Sequence, residues 1–542
     1  MRSDLLRRAS RAYSSQAVRL VTDVDHDPWG SVRASLYETA RVVSLAPRLP
    51  GHEPRLTWLL EQQKQDGSWG EGPAPYRLLP TLSAVEALLS TVRSDTSSGT
   101  GPEQLAAAAA AGLAAVRNLP PAGPWPDTAA IEILVPSLVT QINDHLDQHT
   151  IELTPSLGPW SRGARLDVPH GFARRHEQVA QRSQSEGVPL KLHHTFEGVF
   201  RRVPQGAVLA PHGLLGSSPA ATAAWLAATP SSGQSEKAVT ELRTVARRYG
   251  GLFPEAAPLK TVERLWVAAA LARPGLPLAC RATIRAWIHD LYDAAGVRGA
   301  PGLMPDADDT AMVVLVAALA GEPRDVTPLD TFWSGTHFDC YVGEDTGSVT
   351  ANAHALQALH AYALCQATAG AAHRPRMDLV ADWLLAQQQT DGAWADKWHA
   401  SPYYATERCV TALARHGGPT VRTALRSAAD WVVATQRDDG SWGVWGGTAE
   451  ETAYAVKILL AAQPVFHQPG ADQALNRAEI VLEAASRTSG HRHPALWHDK
   501  TLYAPHAMIQ AEVMAALQML RMRRETGLAA SGDERDTEGT AS

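Results

Sequence analysis

Cysteine is scarce. The 542 residues hold four thiols, Cys280, Cys340, Cys365 and Cys409, widely spaced and without a CxxC pair. That excludes a disulfide scaffold and implies reduced core thiols in a cytoplasmic protein. No uncharged apolar run reaches the roughly 18 to 20 residues of a membrane span, so no stable membrane insertion is expected. The first residues, Met-Arg-Ser-Asp-Leu-Leu-Arg-Arg, lack the apolar core of a signal peptide. Excess charge is also missing. A formal net charge of -7 over this length suggests neither nucleic acid nor an anionic membrane as partner. No convincing period-two run occurs, so the chain reads as all-α. Lysine makes up only seven of the 49 basic residues. That scarcity draws attention to Lys397 and Lys500, which both lie in short polar-aromatic stretches.

What is present is a large interior. Hydrophobic residues make up 45% of the chain. The length exceeds one ordinary core, so two domains or one repeat architecture is expected. A repeat is visible. Arg55 to Gly70 has helical periodicity and ends in a Gln-x-x-Asp-Gly-x-Trp turn (Gln63, Asp66, Gly67, Trp69), with a helix following at Thr81 to Val92. The pattern returns at Asp382 to Trp394 (Gln388, Asp391, Gly392), before a helix at Ala405 to Arg415. It returns again at Asp430 to Trp442 (Gln436, Asp439, Gly440), before a helix at Glu450 to Ala462. Asp-Gly ends each outer helix in a turn. The Trp buries a large face and has an N–H to place. The Gln is expected to bond backbone groups freed at the turn, tying outer helix to inner helix. Stacked helix pairs bury a core that no single pair can, so these residues are structural.

Further helices are expected at Arg33–Ala46, Leu190–Phe200, Pro219–Ala228, Glu236–Tyr249, Thr261–Ala272, Ala282–Ala295 and His506–Arg524. Residues 1 to about 30 read as polar and uncommitted. Asn118–Thr128 and Thr154–Gly171 read as Pro-rich loops, Gln178–Gly187 as a loop and Ser231–Ser235 as a linker. Glu525–Ser542 reads as a disordered tail.

The chemistry concentrates between Gly302 and Val316. Asp306, Asp308 and Asp309 follow Pro305 and precede a nearly uniform apolar run, Ala311 to Ala320, with the composition of a buried helix. One Asp there would be a helix cap. Three cannot all ionise in a dry site, so at least one proton should be held. A held proton in an apolar pocket is a general acid.

Asp306-Ala-Asp308-Asp309 resembles the DxDD motif of class II terpene cyclases, and the three repeat turns resemble theirs too. The likeness runs from Tyr37 to about Ala516. Tyr37-Glu-Thr-Ala-Arg41 is similar to the family's Tyr-Asp-Thr-Ala segment, with Glu38 in place of Asp. Ile131–Ser137, Leu192–Gly198 and Gly216–Thr222 resemble plant copalyl diphosphate synthases. Ser348–His354, Asp396–Tyr404 and Trp497–Tyr503 resemble the bacterial branch. The aspartate-rich DDxxD signature of class I enzymes is absent. The chain is therefore identified as resembling bacterial class II diterpene cyclases.

The resemblance implies two (α/α) barrels, called β and γ, with the active site between them. Residues 1–50 would contribute to the β barrel, 51–260 would form the inserted γ barrel, 261–522 the β barrel with its acid, and 523–542 the tail. It implies protonation of geranylgeranyl diphosphate, a small-molecule prenyl diphosphate, giving a bicyclic labdane- or halimane-type diphosphate. Asp308 would give the proton, with Asp306 and Asp309 holding its geometry. His194 would be the deprotonating base, and His354 and Asn352 are further candidates for that role. Plant enzymes pair that histidine with an asparagine, but Gly250-Gly-Leu-Phe-Pro254 offers none. Lys397 and Lys500, with Arg408 as a further option, would meet the diphosphate. Aromatic faces would stabilise the cations, with Trp333, Phe338, Tyr341, Trp398, Tyr403, Tyr404, Trp445 and Tyr503 as candidates. Mg2+ is the implied cofactor, with no ligand identified. A downstream class I diterpene synthase is the implied consumer of the product, and monomer and homodimer stay open. Two rival enzyme readings are a squalene-hopene-type cyclase and a farnesyl diphosphate cyclase. A third rival is a non-catalytic α-barrel that binds prenyl groups or proteins.

Overall fold

A computed structural model describes residues 2–27, 29–93, 99, 101–119, 125–147, 154–169, 171–201, 207–344, 346–466, 469–487 and 493–538, with side chains from 12 to 525. Parts of both expected Pro-rich loops and the last residues of the tail lie outside this set. The described residues are predominantly helical. Their only strands, Trp497–His498 and Leu502–Tyr503, form one antiparallel ribbon.

Six helices close a ring. Lys260–Ala272, Ala307–Leu319, Val349–Cys365, Pro402–His416, Ala449–Ala462 and His506–Glu538 each pack on the next, and the last returns to the first. Arg281–Leu291, Arg374–Ala386, Pro419–Ala434 and Ala471–Arg487 back them from outside. A smaller ring runs through Leu36–Leu45, Leu78–Arg93, Ile131–Asp147, the short turn Phe196–Gly198 and Pro219–Ala228, then back to Leu36–Leu45. Inner helices are covered on every side, and the charged side chains they carry pair inside the core, as Lys457 does with Glu407 at 3.6 Å. Met312, Leu356 and Leu413 lie in the larger core, and Leu82, Val85 and Leu134 in the smaller. The first fifty residues divide between the rings. Arg2–His26 lays Ala17, Leu20 and Val21 on the larger core, whereas Leu36–Leu45 lends Tyr37, Ala40 and Val43 to the smaller.

The repeat turns are fully bonded. Trp69, Trp394 and Trp442 are buried and donate their indole N–H to Leu59, Leu384 and Val432 carbonyls, each at 2.7 Å. Each Gln amide donates twice. Gln388 reaches the carbonyl of Gly392 in its own turn and that of Ala424 in the next outer helix, both at 2.9 Å. Gln63 does the same with Gly67 and Ala108, and Gln436 with Gly440 and Ala474. The expected tie from outer to inner helix is thus a tie between successive outer helices. Its acceptors are carbonyls of the neighbour's flank, which the amide reaches sideways.

Several element expectations need correcting. The N-terminal stretch is the helix Arg2–His26, held by a sparse apolar stripe. Phe172–Glu186 is helical although Gln178–Gly187 reads as loop. Its buried stripe is His176, Ala180 and Ser183, which gives little apolar signal at helical spacing. Leu190–Phe200 is two short 3-10 turns, Leu190–Leu192 and Phe196–Gly198, because Pro189 opens the stretch and Gly198 breaks it. The last helix runs through the expected tail to Glu538, since extension costs no new nucleus and no proline stops it. No helix among the described residues is long and apolar enough to cross a membrane.

Candidate active site

The acid cluster sits where Ala307–Leu319 begins. Asp306 is its N-cap, and its Oδ1 accepts the Asp309 N–H at 2.7 Å. The cap is fixed from both sides: the Asp306 N–H donates to the Val297 carbonyl, and the Ala307 N–H to the Cys340 carbonyl. A Cβ on Gly299 would lie 2.8 Å from Asp309 Oδ2, so only glycine lets the loop close over that carboxyl. Burial pushes the Asp306 carboxyl up to about 7, against hydrogen bonds from Asp309 that lower it. Burial pushes Asp309 well above the carboxylate range, and the charge of Asp306 adds to that. The pair therefore keeps a proton near neutrality.

Asp308 is the exposed member. Its side chain is 14% accessible, whereas Asp306 and Asp309 are 5% exposed. Asp308 Oδ1 lies 2.5 Å from Nδ1 of His354, whose other nitrogen is buried without a partner among the described residues. His354 rises from Val349–Cys365, a helix capped by Ser348 and by Asp396, whose Oδ1 accepts the Val349 N–H at 2.6 Å. The His354 ring stands perpendicular to Trp266 at 5.5 Å. The Trp266 N–H donates to the Tyr404 hydroxyl at 2.9 Å, and Tyr404 stacks on His399 at 4.8 Å. An aromatic wall thus starts at the acid. Tyr503 lies close enough to Asp499, Tyr404 and Asp309 for their charges to raise its phenol further than burial already does.

Other expected site residues are committed elsewhere. Lys500 is fully buried and donates to Glu38 Oε1 (2.6 Å), Glu197 Oε1 (2.8 Å) and Ser218 Oγ (2.6 Å). An ammonium has three N–H bonds, so none remains for a diphosphate. Its carboxylates and its own charge form a structural core cluster. Asn352 is a buried clip: its Oδ1 accepts the Phe338 N–H, and its Nδ2 donates to the Phe338 and Ser348 carbonyls. Arg408 pairs with Glu407 and Glu512 in the larger core. Trp333 pairs with Phe338 below Arg376, Tyr403 packs on Trp431, and Trp445 meets Tyr76 at the surface.

Lys397 stays near the cleft. It donates to Glu344 Oε2 at 2.7 Å and to the Thr346 carbonyl at 3.1 Å, and lies 5.6 Å from the Trp398 ring centroid. Lys191 approaches Glu344 Oε1 at 3.6 Å. The Trp398 indole N–H has no partner among the described residues. His194 comes from the smaller ring. Its Nδ1 lies 2.7 Å from the Gly216 carbonyl and its Nε2 2.9 Å from Asp499 Oδ1. Burial lowers its pKa, but Asp499 outweighs this and the net shift is upward.

Motif reading missed Asp499, Trp266, Lys191 and Glu344. Asp499 stands in the Trp497–Tyr503 stretch already singled out, beside a rare lysine, which was the available signal. Trp266 and Glu344 carried none.

Comparison with known proteins agrees. Residues 339–467 match the squalene-hopene cyclase C-terminal domain. The chain is 65% identical to a copalyl diphosphate synthase of Streptomyces cyslabdanicus, over 95% of this chain and 97% of that one. It is 47% identical to a labda-7,13-dienyl diphosphate synthase of Streptomyces clavuligerus, over 95% and 94%. The solved ent-copalyl diphosphate synthase from Streptomyces platensis superposes with a TM-score of 0.88 at 41% identity, over 94% of this chain and 99% of that one. A triple-aspartate helix start inside a closed helical ring, with relatives of this reach along the whole chain, makes it a member of the class II diterpene cyclase family.

Proposed function

We propose that the protein converts geranylgeranyl diphosphate to a bicyclic labdane- or halimane-type diphosphate, keeping the diphosphate attached. The observation that carries this reading is Asp308: it alone of the three acids is not buried, and His354 holds it. Protonating an isolated alkene forms a tertiary cation, so the acid must be preorganised and water kept out. With the hydrogen on His354 Nδ1, Asp308 Oδ1 accepts it and the acidic hydrogen sits on the other Asp308 oxygen; the alkene π pair takes that hydrogen as a new C–H bond, and the O–H pair stays on Asp308 as carboxylate. The protonated Asp306–Asp309 pair limits the negative charge beside Asp308. Trp266 and Tyr503 offer ring faces to the migrating charge, whereas Tyr404 is covered by His399 and by the Arg408 guanidinium.

At the rim, Lys397, Lys191 and the Trp398 N–H fit a diphosphate, with Glu344 holding the two lysines until substrate arrives. The described residues contain no group of three or more His, Cys, Asp or Glu placed to hold a metal. Mg2+ would therefore be held chiefly by the oxygens of the diphosphate it accompanies, and no step is routed through it. The exposed free thiol of Cys365 suits a reducing cytoplasm.

The test incubates purified protein and Asp308→Ala with geranylgeranyl diphosphate and magnesium, then removes phosphate and identifies the alcohol by mass spectrometry. A bicyclic alcohol from the parent alone is expected. Unchanged geranylgeraniol from both, or the bicyclic alcohol from both, overturns the reading.

A further inference from the structure

We propose that Asp499 accepts the proton that ends the reaction, and that His194 is its positioning residue. The assignment deepens the function proposed above and rests on it. The Gly216 carbonyl can only accept, so His194 Nδ1 carries a hydrogen. Its Nε2 faces the Asp499 carboxylate at 2.9 Å. Both nitrogens donate, and the ring keeps no lone pair with which to take a proton. The two backbones pack closely: a Cβ on Gly216 would lie 2.4 Å from the His194 backbone nitrogen, so this approach requires glycine there.

The carboxylate is arranged differently. Its Oδ1 accepts from His194 Nε2 and, at 2.9 Å, from the Lys500 backbone N–H. No described residue donates to Oδ2. The Asp499 side chain is 19% accessible although its neighbours Lys500 and His498 are buried. Asp499 sits at the tip of the ribbon between the rings, with its carbonyl accepting the Ala129 N–H. Trp497 of the same ribbon lies 6.4 Å from Tyr503 and 4.8 Å from Tyr404, which joins the ribbon to the aromatic wall that starts at His354 and Asp308.

The step balances. Asp308 has given one proton to the alkene, and two ring closures leave a tertiary carbocation. A C–H bond next to that carbon breaks, its electron pair becomes the new alkene, and the proton forms an O–H bond on Asp499 Oδ2. Product release reopens the cleft to water, which takes that proton and reloads Asp308.

The experiment first establishes turnover of geranylgeranyl diphosphate by the parent protein, because loss there would overturn the proposed function and not this assignment. Asp499→Asn is then expected to consume substrate about 100-fold more slowly or worse. Its products should shift to a hydroxylated bicycle from water capture or to a displaced alkene. The parent product alone, at any rate, overturns the proposal. Asp499→Glu guards against a folding failure of the amide: it keeps the carboxylate one methylene further on and should change the ratio of alkene isomers. His194→Gln should shift the product ratio in the same direction as Asp499→Asn; a lower melting temperature with an unchanged ratio makes it merely structural. Binding gives a readout independent of turnover. A bicyclic ammonium mimic of the final cation should bind Asp499→Asn at least tenfold more weakly by calorimetry, and equal binding overturns the proposal.

Discussion

His354 carries two constraints at once. One nitrogen meets Asp308 at 2.5 Å and the other meets no oxygen or nitrogen among the described residues. Buried polar atoms without partners are costly, and here the cost maintains a proton-donating geometry. His354→Phe keeps the ring shape against Trp266 and removes the Asp308 contact. We expect kcat to fall by about 10² to 10⁴ with KM little changed, measured in steady state, and circular dichroism to match the parent. A rise in KM alone would mean that the histidine contacts substrate instead.

The start of the acid helix acts as one electrostatic element. Asp306 caps it, Asp309 lies beside the cap, and Asp308 faces out. As pH rises through about 7, Asp306 loses its proton and places a negative charge beside Asp308. Proton transfer out of the cluster would then leave a second negative charge beside the first, which is disfavoured. The rate should therefore fall through about pH 7, and Asp306→Asn should remove that alkaline limb. An unchanged limb in a pH–kcat profile would assign it to another group. The repeat turn is a second element with its own test. Trp394→Ala empties a fully buried site and loses the bond to Leu384. A destabilisation of about 3–5 kcal/mol is expected in urea titration, with an unchanged product.

Two rings meet through a short ribbon, and this is the scale at which sequence reading stops. The turns, the all-helical class and the acid helix follow from residues a few positions apart, where period and turn chemistry act directly. Asp308 and His354 are 46 residues apart, and His194 and Asp499 are 305 apart. No local pattern encodes such pairs. For the same reason Lys500 looked available for phosphate: its scarcity was legible, but not the two carboxylates from the other ring that bind it. The helix Phe172–Glu186 stayed hidden because small and polar residues line its buried side. At this scale Lys500→Met is expected to cost about 3–5 kcal/mol, by leaving Glu38 and Glu197 buried without a counter-charge, as read from denaturant midpoints. KM for the diphosphate should stay put; a large rise would return Lys500 to the substrate.

The ribbon also imposes an order on synthesis. Glu38 and Glu197 leave the ribosome hundreds of residues before Lys500 does. Even in the finished protein burial holds Glu38 up at about 7, against the pull of Lys500. The smaller ring is made first but completed last, by a residue near the far end of the chain. A chain cut short before Trp497 leaves that ring with two carboxylates and no cation, open to water and to proteases. Loss of the final segment would therefore be registered at the opposite end of the polypeptide, and only full-length molecules would acquire the closed chamber in which a carbocation survives.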